Sequence, residues 1–122
     1  MTALGAIGQI AMPVHDIDRA TTFYRDVLGL PFLFSAPPQL AFFNCAGVRL
    51  MLTAPETPEF DHPGSTLYFR VADIELACRE LADRGARFRG RPECVARLPT
   101  HELWLAFFDD PEGNTLALMS EV

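Results

Sequence analysis

Lysine is absent from the sequence, so all ten of its cationic side chains are arginines, against sixteen aspartates and glutamates. The net charge of -6 argues against nucleic acid as a partner, because phosphate backbones require a basic protein face. No apolar run approaches the roughly 20 residues that span a bilayer. The first residues lack a basic segment, and Asp16 arrives too early for a signal peptide. We therefore expect a cytoplasmic protein with no nucleic-acid or membrane partner.

Cysteines are few, and their number is odd. Cys45, Cys78 and Cys94 form no C-x-x-C pair for zinc or redox chemistry, so we expect three reduced thiols. An H-E-x-x-H helix and a G-x-S-x-G turn, typical of zinc proteases and serine hydrolases, are also missing. Because 49% of the 122 residues are apolar and 21% are charged, the composition predicts one small domain with a packed core.

An internal repeat organises the sequence. Residues 10–20 align with residues 67–77, and Val, Asp-Ile, an acid and Ala recur at matching positions. Further matching blocks follow in the same order: 41–43 with 106–108, and 47–52 with 113–118. A conserved order of separate blocks predicts a duplicated module. The predicted boundaries are 1–54 for the first module, 55–64 for a linker and 65–122 for the second module.

Each module predicts a strand, a helix and three further strands. Apolar alternation favours first strands at 8–14 and 66–71, each followed by an aspartate that can cap a helix and, later, by a glycine that can end it. The caps are Asp16 and Asp73, and the glycines are Gly29 and Gly85. The remaining predicted strands are 31–35, 39–44, 48–53, 86–90, 101–108 and 114–120. Turns are predicted at Pro37-Pro38 and at 110–113.

Two segments resemble a known superfamily. FYRDVLGL at 23–30 follows a V-x-D-I-x-x-A helix start, and FFDDPEGNTLAL covers 107–118. Together, in a duplicated frame, they resemble the vicinal oxygen chelate superfamily of glyoxalases, bleomycin resistance proteins and extradiol dioxygenases, over essentially the whole chain. The resemblance implies an α+β fold of two tandem βαβββ modules, whose eight strands form a cup that is commonly completed by a second subunit. We therefore expect a homodimer, although the fold does not specify a reaction.

Strand alternation separates two faces in each module. One face is uniformly apolar and should pack against the helix, whereas the other is mixed and should line the cup, as in small-molecule pockets. The mixed faces contain Gln9, Arg49, Met51, Thr66, Tyr68 and Ala117. By the family's layout, Leu40, Phe42, His101, Leu103, Leu105 and Phe107 also face the cup.

Metal-dependent relatives take two ligands from each module, usually His or Glu. The resemblance places these four positions at Gln9, Met51, Thr66 and Ala117. Glutamine is a feasible oxygen ligand, threonine is a poor one, a thioether suits soft ions, and alanine offers no donor. We therefore expect neither a family metal site nor another cofactor.

Two polar residues on the mixed faces are candidates for chemistry. His101 can act as a general base, or it is simply a half-exposed histidine at the start of a strand. Arg49 is expected to face inward, where its buried guanidinium would favour an anionic ligand and disfavour a cationic one. The alternative for Arg49 is an ion pair, for instance with a carboxylate of a partner subunit.

The other candidates form a wall for a ligand. Gln9, Thr66 and Tyr68 offer hydrogen bonds beside Phe42, Met51 and Phe107, although plain packing also explains the apolar members. The leading hypothesis is a protein that binds a small aromatic or acceptor-rich molecule without a metal. The alternative is a lyase, isomerase or dioxygenase of the same superfamily. Such an enzyme would use a metal held by nonstandard ligands, or work without metal and with His101 as the base.

Overall fold

Residues 4–36, 40–55 and 64–122 are described by the computed structural model of the chain. They form two units, Met1–Gly64 and Ser65–Val122. The predicted turn at Pro37-Pro38 and most of the predicted linker, including His62, lie outside the described residues. In the part that is described, no helix is long and apolar enough to cross a membrane.

The first unit contains a four-stranded sheet with both parallel and antiparallel pairs. Its strands are β1 (Gln9–Pro13), β2 (Phe32–Ala36), β3 (Leu40–Cys45) and β4 (Val48–Thr53), in the order β1-β4-β3-β2. β1 pairs with β4 in parallel, and the other pairs are antiparallel. Helix α1 (Ile17–Thr22) connects β1 to the rest. As predicted, Asp16 caps α1, because its side chain accepts a hydrogen bond from the backbone N–H of Arg19 at 3.0 Å.

The helix of the first unit does not stay α-helical to its predicted end. Phe23–Val27 forms a π-helical segment, in which the N–H of Leu28 donates to the carbonyl of Phe23 five residues earlier. Phe23 and Tyr24 are both buried there, with ring centroids 5.6 Å apart in an edge-to-face arrangement. The segment ends before Gly29, whose φ of 72° is a conformation that favours glycine.

The second unit repeats this plan with one strand more than the sequence predicts. It contains β5 (Leu67–Arg70), α2 (Ile74–Asp83), β6 (Arg87–Phe88), β7 (Glu93–Arg97), β8 (Glu102–Asp109) and β9 (Thr115–Glu121). The sheet order is β5-β9-β8-β6, and β5 pairs with β9 in parallel. Asp73 caps α2 by accepting from the N–H of Leu76 at 3.1 Å.

β7 corrects the prediction of a single strand at 86–90. Both β6 and β7 pair with β8, near its end and near its start respectively. Arg89, Gly90, Arg91 and Pro92 separate them, and a proline cannot donate a hydrogen bond to a sheet. The sheet edge next to β8 therefore consists of two short strands with a break between them, where the sequence predicts one strand.

The apolar face of each sheet is buried, as alternation predicts. Large side chains with almost no exposure in the first unit are Met12, Tyr24, Phe43, Leu50 and Leu52. The corresponding side chains of the second unit are Phe108, Leu116 and Leu118. Since these apolar faces are buried, the polar side chains that could contact a ligand lie on the opposite, mixed face of each sheet.

Leu52→Ala should lower the free energy of unfolding by about 2–5 kcal/mol, because it removes most of a fully buried side chain and leaves a cavity in its place. The matched control is Leu33→Ala, since Leu33 is 47% exposed and should lose only about 0.5 kcal/mol. Urea unfolding of the three proteins measures both values. Equal losses for the two variants would contradict this assignment of the core.

Candidate functional site

Strand register brings four predicted residues together on the mixed face of the first unit. Gln9 of β1 lies opposite Arg49 of β4, and Met51 of β4 lies opposite Phe42 of β3. Arg49 and Met51 are two residues apart on one strand and so point to the same side. We call Gln9, Phe42, Arg49 and Met51 the Arg49 cluster.

Hydrogen bonds and a ring contact connect the Arg49 cluster. The Nε–H of Arg49 donates to Oε1 of Gln9 at 2.7 Å, and Nε2 of Gln9 donates to Sδ of Met51 at 3.7 Å. The Cζ atom of Arg49 lies 5.4 Å from the centre of the Phe42 ring, within the range of cation–π attraction. The guanidinium is thus oriented by a neutral acceptor on one side and an aromatic face on another.

The structure contradicts the expectation that Arg49 is buried, and it does not test the expected ion pair with a partner subunit. Its side chain is exposed, so the expected cost of a buried guanidinium does not apply. Its orientation toward the mixed face agrees with the alternation, since it shares that face with Gln9. Within the described residues, no carboxylate pairs with it. A partner-subunit carboxylate stays a prediction.

Sequence reasoning missed one aromatic residue beside the cluster. Phe34 of β2 stacks on Phe42 with ring centroids 4.6 Å apart and an interplanar angle of 30°, yet it is 48% exposed. Phe32, Leu33 and Phe34 are all apolar, so alternation does not say which of them shares the face of Phe42. The pairing of Phe34 with Phe42 across β2 and β3 decides it.

The donor atoms at the family's metal positions do not fit a divalent ion. In the first unit, Oε1 of Gln9 is already the acceptor for Arg49, and a permanent guanidinium cation beside it repels a second cation. Met51 adds only a soft thioether. In the second unit, Thr66 immediately precedes β5 and Ala117 carries no donor. Across the described residues, no three His, Cys, Asp or Glu side chains are grouped to hold a metal.

Aromatic and charged side chains share the mixed face of the second unit. Tyr68 and Phe107 flank Ala117, which pairs with both, and their ring centroids lie 6.1 Å apart at 76°. On the side nearer the β8–β9 turn, Arg89 forms an ion pair with Asp109 and donates to Thr115 at 2.7 Å. The face therefore has an apolar centre with a charged border.

His101 lies at the other border of this face, away from the aromatic pair. It precedes β8 and is six residues from Phe107, a separation of roughly 20 Å along an extended strand. Its Nε2 is 3.1 Å from Oε2 of Glu121, and its Nδ1 is 3.0 Å from Oγ1 of Thr100. Both ring nitrogens therefore have a partner, one a carboxylate oxygen and the other a hydroxyl oxygen.

Two of the three cysteine side chains, Cys45 and Cys78, are not activated nucleophiles. All three are free thiols of intermediate exposure. Burial raises the pKa of Cys45, and burial together with the neighbouring Glu75 carboxylate raises the pKa of Cys78. A raised pKa keeps these two side chains protonated at neutral pH, and the protonated thiol is the unreactive form.

Glu121→Gln should destabilise the protein at neutral pH but much less in acid. A hydrogen bond from Arg70, with a smaller attraction from His101, holds the pKa of Glu121 below its usual 4.5. A carboxylate with a lowered folded-state pKa stabilises the fold above 4.5, and this stabilisation is lost as the pH falls through the folded-state pKa. Urea unfolding of both proteins at neutral pH and well below 4.5 tests this; a deficit independent of pH would show that charge is not its cause.

Comparison with known proteins identifies the family. Residues 6–118 match the model of the Glyoxalase/Bleomycin resistance protein/Dioxygenase superfamily. A glyoxylase-like domain-containing protein of Didymella fabae is 27% identical over 129 residues, which cover 97% of this chain and 95% of that protein. Among solved structures, lactoylglutathione lyase from Agrobacterium tumefaciens is 25% identical with a TM-score of 0.77, covering 96% of this chain and 94% of the lyase.

An antibiotic-binding protein has the same level of similarity. TnmS3 from Streptomyces sp. CB03234 is 25% identical with a TM-score of 0.77, and the match covers all of both chains. A superfamily member from Sphaerobacter thermophilus, 23% identical with a TM-score of 0.78 over 98% of this chain and 100% of its own, shares the fold. These matches confirm the resemblance and the α+β fold class that it implies. The chain belongs to the glyoxalase/bleomycin resistance protein/dioxygenase superfamily.

Proposed function

We propose that this protein binds a small aromatic or acceptor-rich molecule without the help of a metal ion. The observation that carries the proposal is the commitment of Gln9, at a metal-ligand position of the family, to a hydrogen bond with the guanidinium of Arg49. A lyase and an antibiotic-binding protein are equally similar to this chain, so overall likeness does not choose between them. The donor atoms at the family's metal positions favour binding over metal-dependent catalysis, because they do not fit a divalent ion.

The surfaces suited to such a ligand are aromatic and adaptable. Phe34 and Tyr68 are each 48% exposed, although both rings already contact another aromatic ring on their own sheet. A flat ligand can stack on such rings and displace the water that covers them. Met51 beside Gln9 adds a flexible thioether that adjusts to the shape of a ligand.

Catalysis without a metal is the second candidate, with His101 as the base. The contact between His101 and Glu121 supports it, because a carboxylate can orient a catalytic imidazole. The second ring nitrogen contacts the hydroxyl of Thr100, so a substrate would have to replace that contact. A His101→Asn variant that binds ligands as tightly as the wild type would agree with binding as the function.

The purified protein should contain far less than one divalent ion per chain, and aromatic ligands should raise its Tm. Elemental analysis measures the first quantity and a thermal-shift screen the second; a ligand at 100 times its Kd adds about 2.7 kcal/mol of stability. Phe34→Ser should reduce the shift, whereas Leu33→Ser, at a similarly exposed neighbour, should leave it unchanged. One tightly bound metal ion per chain, with a Tm that falls on chelation, would contradict the proposal.

We also propose that the protein is a homodimer in a cytoplasmic setting. β7 lies at an edge of its sheet, and Val95 and Leu98 near it are 51% and 48% exposed, which suits coverage by a second copy. Light scattering at micromolar concentration should give twice the 13.6 kDa mass of one chain. A mass of one chain under these conditions would exclude a stable dimer.

A further inference from the structure

We propose that Arg49 is the anchor for a carboxylate group on an aromatic ligand, and that its guanidinium supplies the positive charge that a metal ion supplies in metal-dependent relatives. This inference rests on the proposed binding function and adds the chemical class of the ligand. It assigns the anion to the mixed face of the first unit, next to Phe42 and Phe34.

The first observation is that Arg49 is oriented without being neutralised. Its Nε–H is held by the amide oxygen of Gln9, which carries no charge. Four other arginines, in contrast, form ion pairs with acids: Arg25 with Asp26, Arg70 with Glu121, Arg89 with Asp109 and Arg97 with Glu102. Because the described residues provide no such acid for Arg49, its full charge remains available to a ligand.

The second observation concerns the donors that remain. A guanidinium has five N–H groups in a rigid fork, and the bond to Gln9 uses the one on Nε. Among the described residues, the terminal nitrogens of Arg49 have no hydrogen-bond partner. Two parallel N–H groups at the end of a guanidinium match the two oxygens of a carboxylate, so the free edge suits bidentate binding.

The third observation is the aromatic surface beside this charge. Phe42 lies beneath the guanidinium, and Phe34 stacks on Phe42 while remaining half exposed. A ligand with a ring and a carboxylate can therefore stack near Phe34 while its anion meets Arg49. A cationic ligand would meet the same guanidinium with repulsion.

Three naphthalene probes of nearly equal shape test the inference by isothermal titration: anionic 2-naphthoate, neutral 2-naphthamide and cationic 2-naphthylmethylamine. The wild type should bind naphthoate at least about tenfold more tightly than naphthamide, as expected for a charge-assisted hydrogen bond, and the amine most weakly. Arg49→Met should remove the preference for naphthoate, so that naphthoate and naphthamide bind the variant with affinities within about twofold of each other. Arg25→Met, at an exposed arginine of the same unit, should keep the preference.

Gln9→Glu provides a second test that retains Arg49. The new carboxylate would hold the guanidinium in place but neutralise it, so the preference for naphthoate should fall as it does in Arg49→Met, even if Arg49→Met does not fold. Equal binding of naphthoate and naphthamide by the wild type would overturn the inference and leave the binding function intact. An unchanged preference for naphthoate in Gln9→Glu and Arg49→Met would also overturn the inference and leave the binding function intact. Failure of all three probes to bind would overturn both this inference and the proposed binding function.

Discussion

The parallel pairing of β1 with β4 determines which side chains of the first unit meet. This register places Gln9 beside Arg49 and Ala11 beside Met51, while Ile10 and Met12 face the core with Leu50 and Leu52. A shift by one residue would turn every side chain of β1 to the other face. The buried face resists such a shift, because it would expose Met12. The hydrophobic core therefore fixes the geometry of the polar cluster on the opposite side of the sheet.

Much of this arrangement follows from local rules, and the rest follows from how the strands pair with one another. The aspartate caps and the two faces were predictable, since capping and alternation act within a few residues. β7, the stacking of Phe34 and the Glu121 contact of His101 were not, because each depends on the register between two strands, which alternation within one strand does not give. The exposure of Arg49 was misjudged for a related reason: alternation gives the direction of a side chain but not what covers it.

One amide oxygen illustrates how a fold can change its chemistry without changing its shape. A glutamine side chain can serve a metal or a guanidinium, and the amide oxygen of Gln9 accepts a hydrogen bond from Arg49. The guanidinium of Arg49 places a positive charge of the chain itself beside that oxygen. The solved structures with this fold include both a lyase and an antibiotic-binding protein.

The grouping of the sheets also has a consequence for synthesis on the ribosome. In the described residues, β1 to β4 pair only among themselves, as do β5 to β9. By the time the chain has been translated to β4, every backbone partner that β1 uses is already present. The nascent first half can therefore complete its hydrogen-bonded sheet before the second half emerges, which shortens the time during which its strand edges are open to aggregation.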